Sequence, residues 1–172
     1  VNRSESSAPA YKKEVFTPQT IFVLNVDNDT AGFVIEEPST GNCTVNKATG
    51  TICTMHVKLL SSPAPGTFAI LDVGLNETTE VSASAAYLNF TAETWNTGLD
   101  INFTAVNDDV EDGDIWSLVT VAVNGSESSA PAYKHGVFTP QTILVLNVDN
   151  DTAGFVIEEP STGNCTVEKA TG

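Results

Sequence analysis

The sequence predicts an all-β protein: a seven-stranded antiparallel sandwich of two sheets, in a tandem repeat of 122 residues. Three observations carry this. Residues Val1–Gly50 and Val123–Gly172 match at all but five positions, which sets the offset of 122. Apolar and polar residues alternate with a period of two along most of the chain, and no stretch gives a helical stripe over more than two turns. Turn-forming clusters, notably Ser61–Gly66 (SSPAPG) and Asn107–Asp114, interrupt the alternation at the spacing of a two-sheet sandwich.

Seven strands are expected in each repeat. The first, Ala31–Glu36, follows the Asp27-Asn28-Asp29 turn. The second, Ile52–Leu60, puts Cys53, Met55, Val57 and Leu59 on one face and Thr54, His56 and Lys58 on the other, which makes His56 a surface residue. Phe68–Leu75 comes after the proline turn. Ala86–Thr91 directs Leu88 and Phe90 inward and Asn89 outward, and Leu99–Val106 does the same with Ile101, Phe103 and Asn102. Ile115–Val123 and Thr142–Val148 complete the set. A 122-residue period is the size of an ordinary domain with its own core, well above the 20 to 50 or so residues of a solenoid repeat. The expected division is 1–29 as the last strand and linker of a preceding repeat, 30–151 as a complete repeat, and 152–172 as the start of the next, a window on a longer array. The five differences, Arg3/Gly125, Lys13/His135, Glu14/Gly136, Phe22/Leu144 and Asn46/Glu168, read as surface drift on one repeated fold.

Acids outnumber bases 22 to 7, for a formal charge of −15, which argues against nucleic acid as a partner. No apolar run approaches the roughly 20 residues of a membrane-spanning helix. The three cysteines become regular once the repeat is applied: Cys165 copies Cys43, so a full repeat holds the pair Cys43 and Cys53. The glycine-containing stretch between them can turn back and bring both within disulfide reach, the alternative being two buried thiols.

Two dense signals point to chemistry. Asp108, Asp109, Glu111, Asp112 and Asp114 crowd one loop, and hard oxygens at that density suit Ca2+. In an antiparallel seven-strand domain the fifth and seventh strands run the same way, so this loop ends at the pole where the chain leaves through Asp149-Asn150-Asp151. Asp27 and Asp29 stand at the equivalent place for the preceding repeat. An acidic, solvated turn is the competing reading. The second signal is nine N-glycosylation acceptors, Asn2, Asn28, Asn42, Asn76, Asn89, Asn102, Asn124, Asn150 and Asn164. Ordinary composition gives roughly one per repeat length, so covalent N-linked glycans and a secretory route are expected, against the plainer reading that Asn and Thr are abundant in turns and on wet sheet faces.

Thr30-Ala31-Gly32 after Asp27-Asn28-Asp29, Leu88-Asn89-Phe90-Thr91 with Trp95-Asn96-Thr97, and Val106–Asp114 (VNDDVEDGD) occur in an order that resembles the Calx-beta-like and cadherin-like, Ig-like sandwich repeats of large extracellular glycoproteins. The resemblance covers nearly the whole repeat, with the Cys43-to-Cys53 hairpin standing as an insertion. It implies copies joined head to tail and stiffened at their junctions by Ca2+.

Enzyme chemistry is not expected. The chain lacks a phosphate-binding glycine loop, HExxH and G-x-S-x-G, and His135 is replaced by Lys13 in the other copy. The expected function is that of a structural extracellular glycoprotein, the building block of a stiff rod or fibril whose partners are further copies of itself. The alternative is a cell-surface adhesin or receptor module that binds glycan or protein.

Overall fold

The computed structural model describes residues 19–38 and 42–156. Within them are nine strands and one short helix: β1 (Phe33–Glu37), β2 (Asn42–Asn46), β3 (Cys53–Leu59), β4 (Ala69–Leu75), β5 (Val81–Ala83), β6 (Tyr87–Phe90), β7 (Leu99–Ala105), β8 (Ile115–Val123), α1 (Pro131–His135) and β9 (Gln141–Val148). The strands form a sandwich of a four-stranded sheet, β1-β3-β7-β5, and a five-stranded sheet, β2-β9-β8-β4-β6. The expected all-β sandwich is present, with two corrections. There are nine described strands instead of seven, and β2 runs parallel to β9, from Asn42↔Leu144 to Asn46↔Val148. Both added strands lie at sheet edges, where pairing on one side needs little apolar alternation. β5 has three residues, and β2 encloses Val45 alone completely.

Alternation builds the core as expected. Met55 and Val57 of β3 and Ile101 and Phe103 of β7 face Leu71, Phe90, Val119, Val121 and Val145 of the other sheet, all without exposed surface. Asn89, Asn102 and Thr104 point out to solvent. His56 is half-buried rather than fully on the surface, because Asp100 on the neighbouring strand holds its Nδ1.

The two ends of the repeat lie at opposite poles. Gln141 Nε2 donates to the Phe33 carbonyl at 2.8 Å, so β9 begins beside the start of β1, here called the leading pole. β9 then runs eight residues, roughly 25 Å, to the trailing pole at Val148. Tyr133, 1% exposed on α1, closes the leading pole: its hydroxyl donates to Ser61 O at 2.8 Å, with Gly32 O at 3.2 Å as a second acceptor. Tyr133→Phe removes the hydroxyl's bond to Ser61 O, while Gly32 O keeps the Leu60 N–H at 2.8 Å, with an expected loss of about 1–2 kcal/mol in urea unfolding; an unchanged midpoint would mean that water replaces the hydroxyl.

Residues 19–32 have no regular secondary structure, and Ile21, Phe22, Val23 and Leu24 are 84%, 93%, 88% and 85% exposed. Yet Gln19–Val26 repeats the sequence of β9 with the single change Phe22 for Leu144. At the other end Phe155 is 86% exposed, whereas Phe33, the residue it copies, is 6% exposed.

Two of the five differences between the copies are more than surface drift. A Cβ on Gly125 would come within 2.8 Å of the Lys134 carbonyl, and one on Gly136 within 2.4 Å of the Phe138 ring. A repeat with Arg3 and Glu14 at these places needs different packing at this corner; both residues lie outside the described chain. Gly125→Ala is expected to destabilise by roughly 1–3 kcal/mol in thermal melts, and a neutral result would show that the corner yields freely.

Candidate functional site

The candidate site is the trailing pole, and the β2–β3 connection reaches it; this is not the expected hairpin, because β2 and β3 lie in different sheets and share only the Asn46–Thr51 bridge. The disulfide Cys43–Cys53, with a Cα–Cα distance of 5.8 Å, fastens this connection across the two sheets. Its turn closes through Gly50 N to Asn46 O at 3.0 Å and Thr49 N to Asn46 Oδ1 at 2.9 Å, with Gly50 at a φ of 66° that favours glycine. Lys47 follows the last residue of β2, where the parallel ladder with β9 ends.

From this anchored position the Lys47 side chain, with 0% exposure, extends into a ring of carboxylates. Its Nζ lies 2.8 Å from Asp108 Oδ1, 3.7 Å from Asp149 Oδ1, 3.8 Å from Glu80 Oε2 and 4.0 Å from Asp151 Oδ2. These acids come from the turn before β5, the loop after β7 and the chain leaving β9. Glu80 is 4% exposed and is held by Asn147 Nδ2 at 2.8 Å. Asp149 N donates to Asp114 Oδ1 at 3.0 Å, and Gly113 N to Asp149 Oδ2 at 3.1 Å, which clasps the acidic loop to the exit.

The acidic loop and the exit therefore meet, as strand direction requires. Asp108, Asp114, Asp149 and Asp151 are brought together, while Asp109, Glu111 and Asp112 stay exposed on the outer side. Asp109 and Glu111 join Asp151, Thr152, Ala153 and Gly154 around an open depression. Asp27 and Asp29 lie apart on the exposed segment 19–30, Asp27 Oδ1 accepting from Asp29 N at 3.0 Å. Sequence reasoning missed Lys47 and Glu80. The available signal was charge alone: with 7 bases against 22 acids, each lysine has carboxylates to meet.

Carboxylate oxygens suit Ca2+ as donors, but the residues at the centre of this cluster do not fit a metal ion, because the Lys47 ammonium stands there. Among the described residues no group of three or more His, Cys, Asp or Glu is arranged to hold a metal.

The electrostatics follow from the geometry. The hydrogen bond from Lys47 holds Asp108 below the usual carboxylate range, and the same bond raises Lys47 above its ordinary value. Asp149 is lowered, chiefly by the backbone N–H of Asp151. Asp151 is raised, first by burial and then by repulsion from Asp149. Asp108 and Asp149 thus contribute stability above their unfolded values, lost as pH falls through the depressed folded ones; the contribution of Lys47 is complete below its unfolded value and is lost as pH rises through the raised one. Asp151 has the opposite sign to the other two acids: its ionisation opposes folding as pH rises through its raised value. Asp151→Asn is accordingly expected to raise the Tm at neutral pH and leave it nearly unchanged near about pH 3, where the carboxyl is protonated in both states; a lower Tm at neutral pH would show that Lys47 depends on this fourth acid.

The glycosylation acceptors differ in their surroundings. Asn28, Asn42, Asn76, Asn89, Asn102 and Asn150 are exposed; Asn2 and Asn164 lie outside the described residues. Asn124 is half-buried, and its Nδ2, the atom a glycan would take, donates to Asp72 Oδ2 at 2.7 Å.

No protein-family model and no curated protein matches the sequence. Among solved structures, the chain is similar to the apo form of the Calx CBD1 domain, at 13% identity and a TM-score of 0.49, over 72% of this chain and 100% of that one. It is also similar to the calcium binding domain CBD12 of CALX1.1 (16%, TM-score 0.44, 72% of this chain and 48% of that one). A third likeness is to an MSP family member of C. elegans (12%, TM-score 0.38, 72% and 100%). The sheets themselves establish the sandwich. Among the described residues no helix is long and apolar enough to cross a membrane.

Proposed function

We propose that this chain is a piece of an extracellular structural glycoprotein in which copies of the 30–151 sandwich follow one another head to tail as a stiff rod or fibril. One observation carries the reading: β1 starts at one pole and β9 ends at the other, so each copy hands the chain on along its long axis. The exposed Gln19–Val26 supports it, since a segment with the sequence of β9 belongs in a sandwich of its own; residues 1–29 then end a preceding repeat and 152–172 begin the next. Partners are further copies of the same repeat, the role is mechanical rather than catalytic, and the location is extracellular or on the cell surface, in keeping with the disulfide. This reading does not require calcium, because the Lys47 ammonium already stands among the carboxylates of the pole.

A recombinant chain of three repeats tests the geometry. Its maximum dimension in small-angle scattering is expected to grow by between roughly 30 and 45 Å per added repeat, a strand length plus the linker. A compact three-lobed particle would remove the rod. Glycopeptide mapping of native material tests the coat: Asn89 and Asn102 are expected to carry glycans and Asn124 little, because Asp72 engages its nitrogen. Bare Asn89 and Asn102 would remove the glycoprotein reading. An adhesin or receptor module remains the second reading, favoured by the exposed Trp116, Leu118 and Leu144 on the outer face of the five-stranded sheet.

A further inference from the structure

Four carboxylates from three separate segments converge around one ammonium at the trailing pole, and like charges so gathered need a cation or a proton to offset their repulsion. A hard divalent ion would use the same oxygens. The chain brings its own cation instead. We infer that Lys47 is the resident cation of the trailing pole, its ammonium tying the turn before β5, the β7–β8 loop and the β9 exit together in the place a divalent ion would otherwise take. The pole is then rigid without dissolved metal.

Three features make the tether firm. The disulfide and the closed turn fix the β2–β3 connection that carries Lys47, and the parallel ladder of β2 with β9 fixes it against the exit it neutralises. A tethered ammonium cannot be diluted away as a free ion can. The ring is also over-supplied with negative charge: Asp151 Oδ2 is buried without a hydrogen-bond partner, 4.0 Å from Nζ. Removing the ammonium should therefore leave a strong demand for another cation. Lys169 stands at the same position of the repeated sequence, outside the described residues.

The test compares thermal melts of the 172-residue chain and its Lys47→Met variant in excess EDTA and in millimolar CaCl2. The parent is expected to melt at the same temperature in both. The variant is expected to melt roughly 5–10 °C lower in EDTA, the loss of one partner from an enclosed but near-surface ion cluster, and to regain part of that in CaCl2. A parent destabilised by EDTA, a variant that melts with the parent in EDTA, or a variant that CaCl2 does not rescue would each overturn the inference. Should the variant not fold, reductive methylation of the parent decides: Lys47 is expected to resist while exposed Lys134 reacts, and equal rates would overturn the assignment.

Discussion

A chain of residues 30–140, which lacks β9, is expected not to fold, and a peptide of residues 17–28 is expected to restore it. β9 is the only strand that joins β2 to β8 in the five-stranded sheet, and it brings the buried Ile143, Val145 and Asn147. Losing two ladders and this share of the core exceeds the roughly 5–15 kcal/mol that holds a domain of this size together. The peptide carries the same strand with Phe22 for Leu144, a position on the outer face where the larger ring meets no core. Circular dichroism during titration reads the result: a one-to-one gain of β signal is expected. A truncated chain that is already folded, or a peptide without effect, would contradict the claim that Gln19–Val26 is a last strand waiting for its sandwich.

Replacing Cys43 and Cys53 by alanine should have the next largest effect. The bridge closes a loop of sequence separation 10, for which chain entropy gives about 2–3 kcal/mol. The consequence should extend beyond stability, because the same β2–β3 connection positions Lys47. Faster methylation of Lys47 is expected together with the lower melting temperature. A variant with the full loss of stability and a still-protected Lys47 would show that the turn and the ladder with β9 suffice to hold the ammonium.

Much of this architecture was legible in the sequence because it rests on local periodicity. Cys53, Met55, Val57 and Leu59 alternate strictly and are buried as a set, and so do Leu88 with Phe90 and Ile101 with Phe103. The meeting of the acidic loop with the exit was legible too, since it depends only on strand direction. β2 was not, because its partner β9 lies about a hundred residues away and its outward residues are polar. β5 was too short to show a period. The centre of the acidic pole was missed for a different reason. Density of acids drew attention to the loop, whereas the residue that organises it is a single lysine at the end of β2 in the other sheet, and no spacing rule links Lys47 to Asp108 across 61 positions. Gly125 and Gly136 show the limit of comparing copies as text: the changes to Arg3 and Glu14 look superficial until the backbone they would touch is in view.

Electron microscopy of the native material most directly tests the central claim that the repeats run end to end. Filaments with a regular axial spacing of between roughly 30 and 45 Å per repeat and sugar density projecting beside Asn89 and Asn102 are expected. Discrete particles with no axial repeat, or sandwiches packed side by side with both chain ends at one pole, would contradict it.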